Sequence, residues 1–251
     1  MSDLTKTFND VTTVTEVNNE TVPLIGAAGA MEQITVPNLK NAMLEGMDLK
    51  MISDNIRILC HKSNGYPYAV EPHKWSSLQA GGETADGVVL IEGGRVLVIA
   101  PTEASALKWS SAAVSGGGVA TSSYETALAD WAGKTNTVSQ IGHTECQGDT
   151  FAPGFCNAYA RTNAHGGGIA AGKWWLPSLG ELLAIYANKN KINYALSLIS
   201  GAKQLGEGYY WSSTECSSSR AWAVHFGAGG VYFGDKYYDE FSVRPVSALS
   251  L

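Results

Sequence analysis

Apolar and polar residues along this chain fall into several distinct periods. Between Thr21 and Thr35 two short apolar runs flank Gly26-Ala27-Ala28-Gly29, which predicts strand, turn, strand. Pro37 then opens a predicted helix with Leu39, Ala42, Met43 and Met47 on one side, closing near Gly46. Residues 62–86, punctuated by Pro67, Pro72, Gly81 and Gly82, read as a connector. Beyond them "GVVLIEGGRVLVIA" sets two β-branched runs around Glu92-Gly93-Gly94 and predicts a hairpin. Tyr124, Leu128 and Trp131 recur at helical spacing, with Gly133 as the expected stop. Ser178, with Glu181 three residues later, makes a capping box before the apolar face of Leu182, Leu183, Ile185 and Tyr186. A further helix around Ile192, Ala195, Leu196 and Ile199 ends at Gly201. Short strands and turns are expected over 208–247, where Trp222, Val224 and Phe226 alternate as in a half-buried strand.

The sequence of hairpin, helices and β-rich end indicates an α+β domain over 85–251. Residues 1–84 are too weakly apolar for an independent monomeric core and read as an attachment or oligomerisation module with its connector. Composition narrows the function. Charged residues are only 16%, glycine reaches 28, and seven Trp and eleven Tyr are present, which suits a loop-rich, aromatic-studded protein. A net charge of −6 offers no basic stripe for nucleic acid. The N-terminus MSDLTKTFND lacks a basic and apolar signal pattern, and no apolar span of membrane-crossing length occurs, so a soluble chain without membrane insertion is expected.

Candidate chemistry is thin. "GGIAAGKW" at 167–174 nearly matches a phosphate-binding loop, but Trp174 replaces the required hydroxyl and Trp-Leu-Pro follows instead of a helix. His143, Cys146, Cys156 and His165 have zinc-ligand chemistry at a spacing foreign to the common fingers; they read as unrelated loop residues, and no metal or cofactor is expected. Cys60, Cys146, Cys156 and Cys216 are too sparse for a disulfide framework and are expected as thiols. Ser212 or Ser213 with Glu215 lacks an identifiable base, and Asp235 with Asp239 or Glu240 reads as solvated loop charge. No catalytic residue is assigned.

Four ordered motifs carry more. At "WWLPSLGEL" (174–182), "YYWSSTE" (209–215), "AWAVHF" (221–226) and "VRPV" (243–246) the chain resembles the C-type lectin-fold variable proteins of diversity-generating retroelements. The phage major tropism determinant is a functional relative of that family, and formylglycine-generating-enzyme-like lectin domains share the broader fold. The similarity spans about residues 85–247. "NNETVPLIGAAGAMEQITVPNLKNA" also resembles N-terminal pieces of phage fibre proteins.

The resemblance implies a C-type lectin-like domain in which adenine-directed mutagenesis rewrites chosen codons of about 216–242. Trp211, Trp222, Val224, Phe226, Val243 and Arg244-Pro245-Val246 match its frame. Cys216, Arg220, Ala223, His225, Tyr232, Phe233, Gly234, Asp235, Tyr237, Tyr238, Asp239, Phe241 and Ser242 match its diversified, ligand-binding positions, expected on one exposed surface. Lys236 and Glu240 cannot arise by changing the adenines of an AAC codon and are expected in the frame or only partly varied. The enriched Tyr, Gly, Ser, Asp and Arg are residues that antibody-like surfaces use. No paired catalytic cysteines stand near Cys216, so no enzymatic activity is carried over from the fold. The expectation is a hypervariable receptor-binding protein, a homo-oligomer with a trimer favoured, on a phage tail-fibre tip that meets a protein or glycan on the host surface. The alternatives are a bacterial surface or secreted ligand binder and an enzyme of the same fold.

Overall fold

The computed structural model describes residues 21–25, 31–35, 55–62, 65–163 and 166–248. The chain divides into two units, Met1–Asp54 and Asn55–Leu251. In the first, β1 (Thr21–Ile25) pairs antiparallel with β2 (Met31–Thr35), Thr21 opposite Thr35 and Ile25 opposite Met31. These are the two strands the apolar runs predict. The helix expected from Pro37 lies outside the described residues.

The second unit starts about thirty residues before the boundary expected at residue 85. β3 (Ile56–His61) and β4 (Pro67–Val70) pair with each other, and β3 also pairs with β5 (Gly87–Glu92). A short helix α1 (Trp75–Ala80) buries Trp75. Much of the stretch read as a connector is therefore sheet and core. Its Pro67 and Pro72 mark the start of a strand at the sheet edge and the first turn of a 3₁₀ helix, where a missing N–H is tolerated. β6 (Arg95–Ile99) closes the predicted hairpin: Gly93 and Gly94 both have positive φ (54° and 75°), as a two-residue type I′ turn requires.

β7 (Ala104–Leu107) leads into the helical middle of the chain: α2 (Tyr124–Leu128), α3 (Gly133–Gln140) and α4 (Ala152–Ala158). Gly133 begins a helix instead of ending one. A Cβ there would stand 2.7 Å from the Ser178 backbone nitrogen and 2.9 Å from the Trp175 ring, so glycine lets α3 lie against the following segment. The hairpin of β8 (Arg161–Thr162) and β9 (Gly168–Ile169) precedes α5 (Leu179–Ala187) and α6 (Lys189–Leu198). At the start of α5 the Glu181 carboxylate accepts the Ser178 N–H at 2.9 Å, while the Ser178 hydroxyl donates to the Asp130 carbonyl at 2.8 Å. Five strands end the chain: β10 (Tyr209–Glu215), β11 (Arg220–His225), β12 (Val231–Asp235), β13 (Phe241–Val243) and β14 (Val246–Ser247).

Two five-stranded sheets result, ordered β14-β6-β5-β3-β4 and β12-β11-β10-β13-β7. Both pack onto one set of helices, α5 against β10 and β11, α6 against β3 and β5. The main core joins Ile58, Val88 and Leu90 of the first sheet to Leu182, Ile185 and Ile192 of the helices and to Trp222, Val224 and Phe226 from the second. The second sheet also has a core on its other face, built from Trp109, Cys146, Cys156, Leu176, Trp211, Ala221, Ala223 and Val243. The unit is thus α+β, with the motif-bearing strands buried on both sides. Among the described residues, no helix is long and apolar enough to cross a membrane.

Candidate functional site

The β11–β12 ribbon leads to the edge of the second sheet. Its register sets Arg220 opposite Asp235, Trp222 opposite Phe233 and Ala223 opposite Tyr232, with no bulge. Because side chains alternate along a strand, the ribbon presents two different faces. Each bears an exposed cluster.

On the helix side the Arg220 guanidinium lies 4.9 Å over the Phe233 ring. Phe233 meets Trp222 edge to face at 5.8 Å, and Trp222 meets Tyr124 of α2 at the same distance. Trp222 itself is buried and donates its indole N–H to the Thr121 carbonyl at 3.0 Å. Phe233 and Tyr124 remain about half exposed. On the other face Tyr209 is the hub. His225 stands 4.5 Å from it, Tyr232 5.4 Å and Phe241 4.9 Å, the last stacked. Phe241 lies in turn 4.2 Å from Trp211, whose indole donates to the Leu107 carbonyl at 2.8 Å. Rigid aromatic area anchored on buried tryptophans is suited to contact with little ordering cost.

A turn links β12 to β13 and carries the most exposed ring. Asp239 accepts the Asp235 N–H at 2.6 Å and returns its own N–H to the Asp235 carbonyl at 3.0 Å. Tyr237 is half-buried against Tyr238, their centroids 4.5 Å apart, and Tyr238 is 72% exposed. Beneath them Lys236 is wholly buried. Its ammonium donates to Glu215 at 2.6 Å and to the Val114 carbonyl at 2.7 Å, and sits 4.2 Å from the Trp109 ring centroid. Its carbonyl receives both the Trp109 and Ser110 N–H groups. Burial lowers the Lys236 ammonium pKa, and the Glu215 carboxylate opposes that shift. The residue that the codon argument sets apart is the pin under the loop.

The diversified positions inferred by resemblance therefore separate. Arg220, Tyr232, Phe233 and Tyr238 are exposed; Cys216, His225, Asp235, Tyr237, Asp239, Phe241 and Ser242 are partly so. They lie on both faces of the ribbon and on the turn, instead of on one surface. Two lie under the surface. Ala223 is completely buried in the core beneath Tyr232, and Gly234 is buried where a Cβ would come 2.5 Å from the Trp211 ring and 2.6 Å from Phe241. The alternation of Trp222, Val224 and Phe226 points Ala223 outward only if the second face is open, and here it is covered. Neither residue forms part of the exposed clusters. Tyr209 and Tyr124 are the residues that sequence reasoning missed. The alternation of Tyr209 with the buried Trp211 could have marked the first; nothing local marks the second.

The frame positions behave as matched. Trp211, Trp222, Val224, Phe226 and Val243 are buried. The Arg244 guanidinium, also buried, donates to Glu103 at 2.8 Å and to the Ala100 and Lys203 carbonyls, and Tyr210 donates to the same Glu103 at 2.7 Å.

The other chemical candidates are scattered into structural roles. Cys146 and Cys156 sit in the second core as free thiols, and His165 lies outside the described residues. No group of three or more His, Cys, Asp or Glu residues suited to a metal occurs among the described residues. Burial pushes the Cys60 thiol up to about 11 and that of Cys146 up to about 12, and raises those of Cys156 and Cys216. Protonated thiols of this kind are weak nucleophiles at neutral pH. Trp174, in the near-match to a phosphate loop, is buried and donates to the Ile169 carbonyl at 3.1 Å.

A solved fimbrial protein from Bacteroides ovatus is similar at 20% identity and a TM-score of 0.46, over 61% of this chain and 35% of its own. The chain thus spans about a third of that protein's length. Among curated proteins none matches. The family comparison is more informative. Residues 103–247 match the Lcl C-terminal domain, a stretch that holds all four motifs, both aromatic clusters and the Lys236 pin. By this match over more than half its length, the chain belongs to the Lcl C-terminal domain family.

Proposed function

We propose that this protein is a hypervariable receptor-binding protein of the retroelement-diversified type, working at the tip of a phage tail fibre. The Met1–Asp54 unit joins it to a homo-oligomeric, trimeric assembly, and the β11–β12 ribbon with its following turn meets a host-surface receptor. The role is binding rather than catalysis. One observation carries this: Arg220, Tyr232, Phe233 and Tyr238 stand exposed on strands whose tryptophans, lysine and arginine are buried and hydrogen-bonded. Such a layout lets surface side chains change without touching the frame.

The test uses the full chain. Alanine variants at these four positions should keep the parent melting temperature, while at least one loses about thirtyfold or more in adsorption to the host cell, as an interface anchor does. Parent-like adsorption by all four would overturn the assignment. Light scattering should give a multiple of the 26.6 kDa chain mass, and a clean monomer would count against the fibre. The adjoining DNA should hold a reverse transcriptase gene and an adenine-rich template repeat; their absence would leave binding without diversification.

A further inference from the structure

The first sheet, remote in sequence from the diversified segment, borders a cavity of ≈ 220 Å³. Leu59 of β3 and Ile169 of β9 supply apolar wall, Gly168 a bare stretch of backbone, and His61 and Lys173 are the lining side chains able to donate a hydrogen bond. His61 Nδ1 is 2.7 Å from Asp86 Oδ2, and Asp86 is completely buried. Its other oxygen, Oδ1, has no hydrogen-bond partner. Gly168, at φ +110°, is what allows β9 to pass so close: a Cβ there would stand 2.8 Å from Asp86 Oδ1 and collide with the Arg161 carbonyl.

This arrangement orients the imidazole. With Nδ1–H given to Asp86, Nε2 is the ring nitrogen left to meet a ligand. A protonated imidazole pairs with Asp86 through its Nδ1–H and offers its Nε2–H as a donor toward the cavity it lines. Burial raises the Asp86 carboxyl pKa, while its bond to His61 and the charge of Arg161 draw it down. Lys173, an exposed lining residue, supplies an ammonium. Among the described lining residues there is no carboxylate. Lys173 thus brings positive charge to one part of the lining, His61 a ring nitrogen, and Leu59, Ile169, Ala170 and Ala248 apolar wall.

We propose that this cavity binds a small carboxylate, its oxygens meeting His61 Nε2 and Lys173 Nζ and its alkyl part lying against Leu59 and Ile169. A volume equal to roughly seven waters admits an acid of about six non-hydrogen atoms. The lining residues belong to the scaffold and include none of the diversified positions. The site is therefore independent of the receptor-binding surface.

Butyrate titrated into the full-length protein tests it, read by the imidazole NMR signals of His61, with butylamine as the oppositely charged control. Butyrate should shift the His61 Nε2 signal saturably and butylamine should not. Lys173→Met should weaken the effect about tenfold. His61→Gln should abolish saturable binding seen at the Ile169 methyl; because it also disturbs Asp86, Lys173→Met is the variant that decides if the first fails to fold. No saturation up to ~100 mM butyrate, equal responses to both probes, or an unchanged affinity in Lys173→Met would each overturn the proposal.

Discussion

Replacing Lys236 by Met keeps most of the side-chain volume and removes the charge. Glu215 is completely buried; without the ammonium it retains the Gly116 N–H at 2.9 Å on Oε2, and its Oε1 has no partner at all. Leaving one member of a buried pair alone costs about 3–5 kcal/mol. For a unit of this size each kcal/mol moves the melting temperature by roughly 2–4 °C, so Lys236→Met should melt roughly 6–20 °C lower at pH 7.

A second substitution isolates the cause. Adding Glu215→Gln should restore at least half of the loss, since the amide can still accept the Gly116 N–H without a stranded charge. Hydrogen exchange should also quicken over 237–240, whose turn hangs from Lys236. If Lys236→Met loses less than about 1 kcal/mol, or if Glu215→Gln restores none of the loss, the ion pair is not what secures the turn.

Three further outcomes follow from the packing. Gly234→Ala should destabilise by about 1–3 kcal/mol in chemical denaturation, because its Cβ meets the Trp211 and Phe241 rings, whereas Tyr238→Ala should change stability by about 0.5 kcal/mol or less. Trp211→Ala and Trp222→Ala should each cost about 3–5 kcal/mol, since both rings are buried and both indole N–H groups are bonded. Burial pushes the Glu181 carboxyl up to about 7 from an ordinary value of 4.5, outweighing the bonds it accepts from Ser178 and Trp175. The folded state thus holds the proton more tightly: its stabilising effect is full below about 4.5 and is lost as pH rises through about 7. Glu181→Gln should remove about 3 kcal/mol of that pH dependence; an unchanged slope would refute the assignment.

Local chemistry made part of this molecule legible. Glu92-Gly93-Gly94 specifies a hairpin because only a short turn with positive φ joins two such runs. Ser178 and Glu181 announce α5 because a helix end must satisfy its own N–H groups within a few residues. The tryptophans of the two β-strand motifs declare themselves as core by size alone. What lay beyond the sequence depends on partners far along the chain. Residues 62–86 look like a connector until β3 pairs with β4 and β5, a choice made by backbone groups that every residue carries. Lys236 and Glu215 find each other only after β11 and β12 have folded back between them. Ala223 and Gly234 resemble free surface positions, since a two-residue period states which side chains share a face and not how many faces are covered. The second face of that sheet is closed by Trp109, Cys146, Cys156 and Leu176, all of them upstream of β10. Burial there is set by long-range packing, which leaves no local pattern to read.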